Sequence, residues 1–147
     1  MPNEQRTIRN PRNLMRHVPQ YVKIPVMEGA VIQANMFTLC AKVTIPANEI
    51  YEVEGNNPTR GIIGNIKVNN LSSGGEIDIR SVIEEGRAYQ RLVNAPLEVL
   101  NHPIVLMFSS GARFVGGSTI EVYIKSDQGG IVFGYLYIAC ERLVPID

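Results

Sequence analysis

The chain has 147 residues with 14 basic and 14 acidic side chains, so its formal net charge is zero. That length fits one domain with a sizeable core, and 45% hydrophobic against 19% charged residues excludes a disordered polar chain. Neutrality excludes a protein that is basic all over and coats nucleic acid, but leaves room for a local basic segment.

Such a segment opens the chain. Residues 1–23 hold Arg6, Arg9, Arg12, Arg16 and Lys23 against Glu4 alone, a net +4, and the rest holds nine basic and thirteen acidic groups, a net −4. Pro2, Pro11, Pro19 and Pro25 forbid one continuous helix there. One helical turn fits around residues 13–17; the remainder should be extended. The expected division is an extended basic N-terminal arm over residues 1–30 and a β-sandwich domain over 31–147. The arm lacks the apolar stretch of a secretory signal. Apolar runs at 104–108 and 131–140 are far too short to cross a membrane as a helix. The expectation is a soluble protein with no membrane partner.

From residue 36 the pattern has period two. Residues 36–45 (MFTLCAKVTI) set Phe37, Leu39, Ala41, Val43 and Ile45 on one face and Thr38, Lys42 and Thr44 on the other. Residues 50–54 (IYEVE) alternate until the turn Gly55-Asn56-Asn57-Pro58. Residues 61–69 align Ile62, Gly64, Ile66 and Val68, and residues 76–82 alternate Ile77 and Ile79 with Glu76, Asp78 and Arg80. These two form a hairpin or a sheet-to-sheet connection.

Residues 87–93 fit a strand or a helical turn, and Gly86 and Pro96 at their flanks favour the strand. Residues 104–108 (IVLMF) read as a strand buried on both faces. Residues 119–125 (TIEVYIK) bury Ile120, Val122 and Ile124, and after Ser126-Asp127-Gln128-Gly129-Gly130 residues 131–140 return as a hairpin partner. Gly64 and Gly134, in mid-strand, mark bulges or close packing. About eight short strands without an amphipathic helix predict an all-β fold, an antiparallel β-sandwich of jelly-roll-like or immunoglobulin-like kind.

The chemistry-bearing residues are sparse. His17 and His102 form no metal-ligand pair, no G-x-S-x-G frames a serine, and no Walker-type glycine loop is present. Cys40 and Cys140 lie in apolar runs without an adjacent cation to lower a thiol pKa, so neither looks reactive, and two buried thiols in a reducing compartment are the favoured reading over a disulfide. Glu49, Glu52, Glu54, Asn56 and Asn57 form an oxygen-rich cluster of calcium-compatible chemistry, although alternation turns Glu52 and Glu54 to solvent. The expectation is a non-enzyme with no cofactor and no metal.

The arm is the principal candidate site. Arg6, Arg9, Arg12 and Arg16 recur every three or four residues, and guanidinium suits bidentate contact with carboxylate or phosphate. No aromatic ladder for base stacking accompanies them, which favours a protein partner over nucleic acid; a merely solubilising tail is the bland reading. Phe133, Tyr135 and Tyr137 share one face of a strand whose other face carries Val132, Leu136 and Ile138. They line either an interface or a larger core.

The arm (Arg6, Arg9, Arg12, Arg16), the Ile45-Pro46-Ala47-Asn48 edge and the closing segment 119–140 together resemble small capsid-associated β-sandwich proteins of tailed bacteriophages, the cement, decoration and head or neck components. That resemblance implies a virion structural protein made in the host cytoplasm. It also implies homotrimers that contact the major capsid or another head protein and reach neighbours with their arms. Two alternatives stand beside it. One is a carbohydrate- or small-ligand-binding β-sandwich, calcium-assisted through Glu52, Glu54 and Asn56, although the chain has no Trp for a sugar platform. The other is a cupin-like enzyme without its metal ligands.

Overall fold

The computed structural model describes residues 15–69, 75–84, 88–97, 100 and 103–146. Eleven strands run in chain order: β1 (Met15–Ile24), β2 (Val31–Ile32), β3 (Thr38–Thr44), β4 (Ile50–Val53), β5 (Gly61–Val68), β6 (Gly75–Glu84), β7 (Ala88–Pro96), β8 (Ile104–Leu106), β9 (Ala112–Val115), β10 (Thr119–Ser126) and β11 (Gly130–Pro145). They form two antiparallel sheets, as the strand periodicity predicts. The smaller sheet has the order β3-β10-β6-β7. In the larger, β8-β5-β11-β4-β9 form one path and β1 and β2 also pair with β11.

One pairing rule organises the eight main strands. β1 pairs with β11, β3 with β10, β5 with β8 and β6 with β7, each pair nested inside the one before. The chain is thus a long doubled ribbon, rolled so that β5 lands on β11 and β6 on β10. Rolling places the apolar alternate positions of both sheets face to face. Ile62, Ile66, Val132, Leu136 and Ile138 of the larger sheet and Ile77, Ile79, Ile120, Val122 and Ile124 of the smaller are all buried in one core.

Several expectations change in detail. The segment 119–140 is not a hairpin, because β10 pairs within the smaller sheet and β11 within the larger. Its glycine-rich loop carries the chain from one sheet to the other. The connection from β5 to β6 does the same, in agreement with one of its two readings. β7 is a strand.

In β3 the strict alternation fails. The register on β10 slips between Val122, opposite Ala41, and Tyr123, opposite Leu39. This bulge leaves Cys40 as the extra residue, buries both Cys40 and Ala41, and turns Leu39 and Phe37 out of the expected inward row. β8 is a three-residue strand at one end of the sheet path, with Val105 exposed, and so is not buried on both faces.

The sequence reading assigns residues 1–30 to an extended arm. Of these, Met15–Ile24 is β1, extended and paired with β11 over its full length, from Met15 opposite Pro145 to Ile24 opposite Leu136. Residues 13–14 of the suggested helical turn lie outside the described residues, and 15–17 are strand. Gly64 and Gly134 sit at close packing within a continuous register. With φ of 149° and 122°, a Cβ at either would stand 2.2 or 2.1 Å from the carbonyl oxygen of Tyr135 or Asn65 on the neighbouring strand.

Candidate interaction surfaces

The two sheets turn very different faces outward. On the smaller sheet charged positions line up across the outer face, beside the exposed Ile83 and Tyr89. Lys42, Glu121, Arg80 and Arg91 follow one another across β3, β10, β6 and β7 in register. One step along, Asp78 is fully buried although it points away from the core. Its Oδ2 accepts from Arg80 Nε at 2.9 Å and Nη2 at 2.8 Å, and its Oδ1 from Arg91 Nε at 2.7 Å and Asn94 Nδ2 at 3.2 Å. The Arg80 guanidinium lies 4.7 Å from the ring centre of Tyr89 and 4.3 Å from that of Tyr123. Asp78 is thus fully partnered within this face.

The larger sheet is the opposite case. β11 alternates buried Val132, Leu136 and Ile138 with outward Phe133, Tyr135 and Tyr137. Phe133 is 40% and Tyr135 50% exposed, so these aromatics do not line the core. Their neighbours extend the patch. Lys23, Tyr137, Ile63 and Val105 form one row across β1, β11, β5 and β8. Tyr21, at 68% exposure, belongs to the same face opposite Ala139. Tyr21, Ile63, Tyr135 and Tyr137 ring a shallow, wholly apolar depression of about 300 Å³. The Tyr135 and Tyr137 rings meet edge to face with centres 6.1 Å apart. Sequence reasoning found the β11 aromatics but missed Tyr21, Ile63 and Val105, because only the pairing of β1, β5 and β8 around β11 brings them together. Aromatic and aliphatic side chains are thus exposed together on this face.

The arginines of the arm divide. Arg6, Arg9 and Arg12 lie outside the described residues; Arg16 is exposed on β1, opposite Val144. Close to that strand end, His17, Glu52, Val53, Glu54, Gly55, Gly111, Ala112, Arg113 and Glu141 line a cleft of about 550 Å³. Its carboxylates are engaged. Glu52 accepts from Arg113 Nε at 3.0 Å, Glu54 from Asn57 Nδ2 at 2.7 Å, and Glu141 stands 3.2 Å from His17 Nδ1 and 3.3 Å from Arg60 Nη2.

The rest of the oxygen-rich cluster is also used locally. Glu49 accepts from the Tyr51 hydroxyl, Asn56 donates to Ser109 O, and the Asn57 side-chain oxygen accepts from Thr59. Among the described residues no group of three His, Cys, Asp or Glu side chains is placed to hold a metal. His102 lies outside the described residues.

Cys40 and Cys140 are both buried and unbridged, in keeping with the favoured reading. Their thiols donate to the carbonyls of Thr38 and Gln20. Burial pushes the Cys40 thiol up to about 11 and the Cys140 thiol to about 12.

No family model matches this sequence, and no curated protein matches it. Solved structures do match its fold. VP17, a capsid protein of bacteriophage P23-77, superimposes with a TM-score of 0.61 over 87% of this chain and 96% of its own, at 8% identity. The VP16-VP17 complex, a complex of the two major capsid proteins of bacteriophage P23-77, gives a TM-score of 0.61 over 86% of this chain and 98% of the matched chain, also at 8% identity. The resemblance to phage structural proteins is therefore one of fold: this chain is an all-β sandwich similar to bacteriophage capsid proteins.

Proposed function

We propose that this chain is a structural protein of a bacteriophage virion, working in the particle through contacts with other capsid proteins rather than through catalysis. The observation that carries the reading is the fold likeness to phage capsid proteins, which extends over nearly the whole of both chains. Two features support it. The nested pairs β1·β11, β3·β10, β5·β8 and β6·β7 follow the jelly-roll pattern, which recurs in viral capsid domains although also in lectins and cupins. One sheet also presents an apolar outer face of the kind that assembly covers.

Within that role the chain acts as a cement, decoration or head-associated protein that oligomerises. The arm, residues 1–30, carries Arg6, Arg9, Arg12 and Arg16, the last of them within β1. Its guanidinium groups suit carboxylates on neighbouring subunits. Phe133, Tyr135 and Tyr137 supply the apolar contact. The test is quantitative mass spectrometry of particles purified by density gradient from the host lysate. The chain is expected in many copies per particle; its absence from particles while abundant in the soluble fraction would overturn the proposal.

A further inference from the structure

The outer face of the larger sheet carries its charges in a self-complementary arrangement about β11. On one side of that strand, Lys67 of β5 stands opposite Phe133. On the other side the segment before β2 runs alongside: Gly29 N donates to Val132 O, Val132 N donates to Ala30 O, and Gly134 N donates to Glu28 Oε1 at 3.2 Å. Glu28 and Lys67 therefore flank β11 at the same height, one on each side. Among the described residues neither Lys67 nor Lys23 has an ion-pair partner.

We infer that this face binds the same face of a second copy, about a two-fold axis that runs along β11 between the two sheets. Such an axis exchanges the sides of the strand but preserves height along it. Glu28 of each copy then meets Lys67 of the other, twice per contact, as an isologous interface requires. Phe133 and Tyr135 meet their own counterparts near the axis. One level further, Lys23 lies over Ile63 of the other copy, where its methylene stem can cover apolar surface. At the level of Ala139, the prominent Tyr21 faces Gly61, which has no side chain to obstruct it. Packed sheets cross at about 30°, a rotation that leaves positions beside β11 within reach of long Glu and Lys side chains.

This inference deepens the proposed assembly role by naming the partner of the apolar face, but its test does not depend on the virion assignment. Sedimentation equilibrium on the full chain should give wild-type protein a mass of an even number of copies. Lys67→Glu sets like charges together and should halve that mass, with association weakened by about tenfold or more. The double variant Glu28→Lys with Lys67→Glu should restore it. Tyr135→Arg, which alters neither partner of the ion pair, should also halve the mass while retaining the wild-type circular dichroism spectrum. A wild-type monomer, or an unchanged mass in Lys67→Glu or in Tyr135→Arg, overturns the contact, as does a folded double variant that fails to reassociate. If the chain proves absent from particles but these masses hold, the capsid role fails and the two-fold contact stands.

Discussion

Arg91 places its Nε 2.7 Å from Oδ1 of Asp78, a carboxylate that is fully buried on the side of its sheet turned away from the core. Arg80 closes over the other oxygen and is itself held between Tyr89 and Tyr123. Four side chains thus desolvate one charge at the outer surface of the smaller sheet and tie β6, β7 and β10 together. Removing a partner from a buried charge costs more than the pair contributes, because the remaining charge stays desolvated. Arg80→Ala should lower unfolding free energy by about 2–4 kcal/mol, measured by urea denaturation. A loss under about 0.5 kcal/mol, the range of an ordinary surface substitution, would show that water replaces the guanidinium without penalty.

Tyr135 and Leu136 are adjacent in β11 but face opposite ways. Leu136→Ala opens a cavity in the core and should cost about 2–5 kcal/mol. Tyr135→Ser, on the exposed face, should change the stability of the isolated chain by about 1 kcal/mol or less. Equal losses in the two variants would place Tyr135 in the core.

The glycine at 134 is a second sensitive point on the same strand. A methyl group there collides with the Asn65 carbonyl and demands a φ that L-residues avoid. Gly134→Ala should destabilise by roughly 2–4 kcal/mol, visible as a lower Tm. A wild-type Tm would mean that β5 and β11 separate freely at this level.

The buried thiols predict an alkaline limit. Folded Cys40 and Cys140 ionise near 11 and 12, against an ordinary value of 9.0. Their contribution is therefore fully present below pH 9, and it falls as pH rises toward the folded values, because only the unfolded thiols release protons. Each such thiol removes about 1.4 kcal/mol per pH unit in that window. Cys40→Ala should flatten the decline measured by denaturant titration between pH 9 and 11. An identical slope in wild type and variant would sink this explanation.

For the arm, the triple variant Arg9→Ala, Arg12→Ala, Arg16→Ala should bind purified particles more weakly and with less dependence on salt. Co-sedimentation at increasing salt provides the measurement. Unchanged binding would remove the arm from the assembly contact.

Much of the sandwich was legible in the sequence because one face of each strand is buried and the other is not. Residues 119–125 illustrate this well: Ile120, Val122 and Ile124 are buried, and Glu121, Tyr123 and Lys125 face out, as alternation requires. What alternation cannot encode is which sheet a strand joins. The loop from Ser126 to Gly130 reads equally well as a hairpin turn or a crossover, and it is the crossover that occurs. The bulge at Cys40 was equally hidden, since a single inserted residue reverses the facing of Leu39 and Phe37 without altering composition. β1 escaped because its proline, Pro19, and its charges suit an edge strand as well as a loose arm. The candidate surface was half legible for the same reason. Phe133, Tyr135 and Tyr137 lie on one strand, whereas Tyr21, Ile63 and Val105 join them only through pairing between strands distant in sequence.

Among the described residues the first long strand, β1, pairs with the last, β11, and this also governs when the larger sheet can close. During synthesis the core strands β5 and β10 are made before the strand that lies between β5 and β1 exists. The apolar outer face is built around that same strand, so it cannot form until β11 has been translated. Contacts this distant in sequence slow folding, and here they also delay the exposed apolar face.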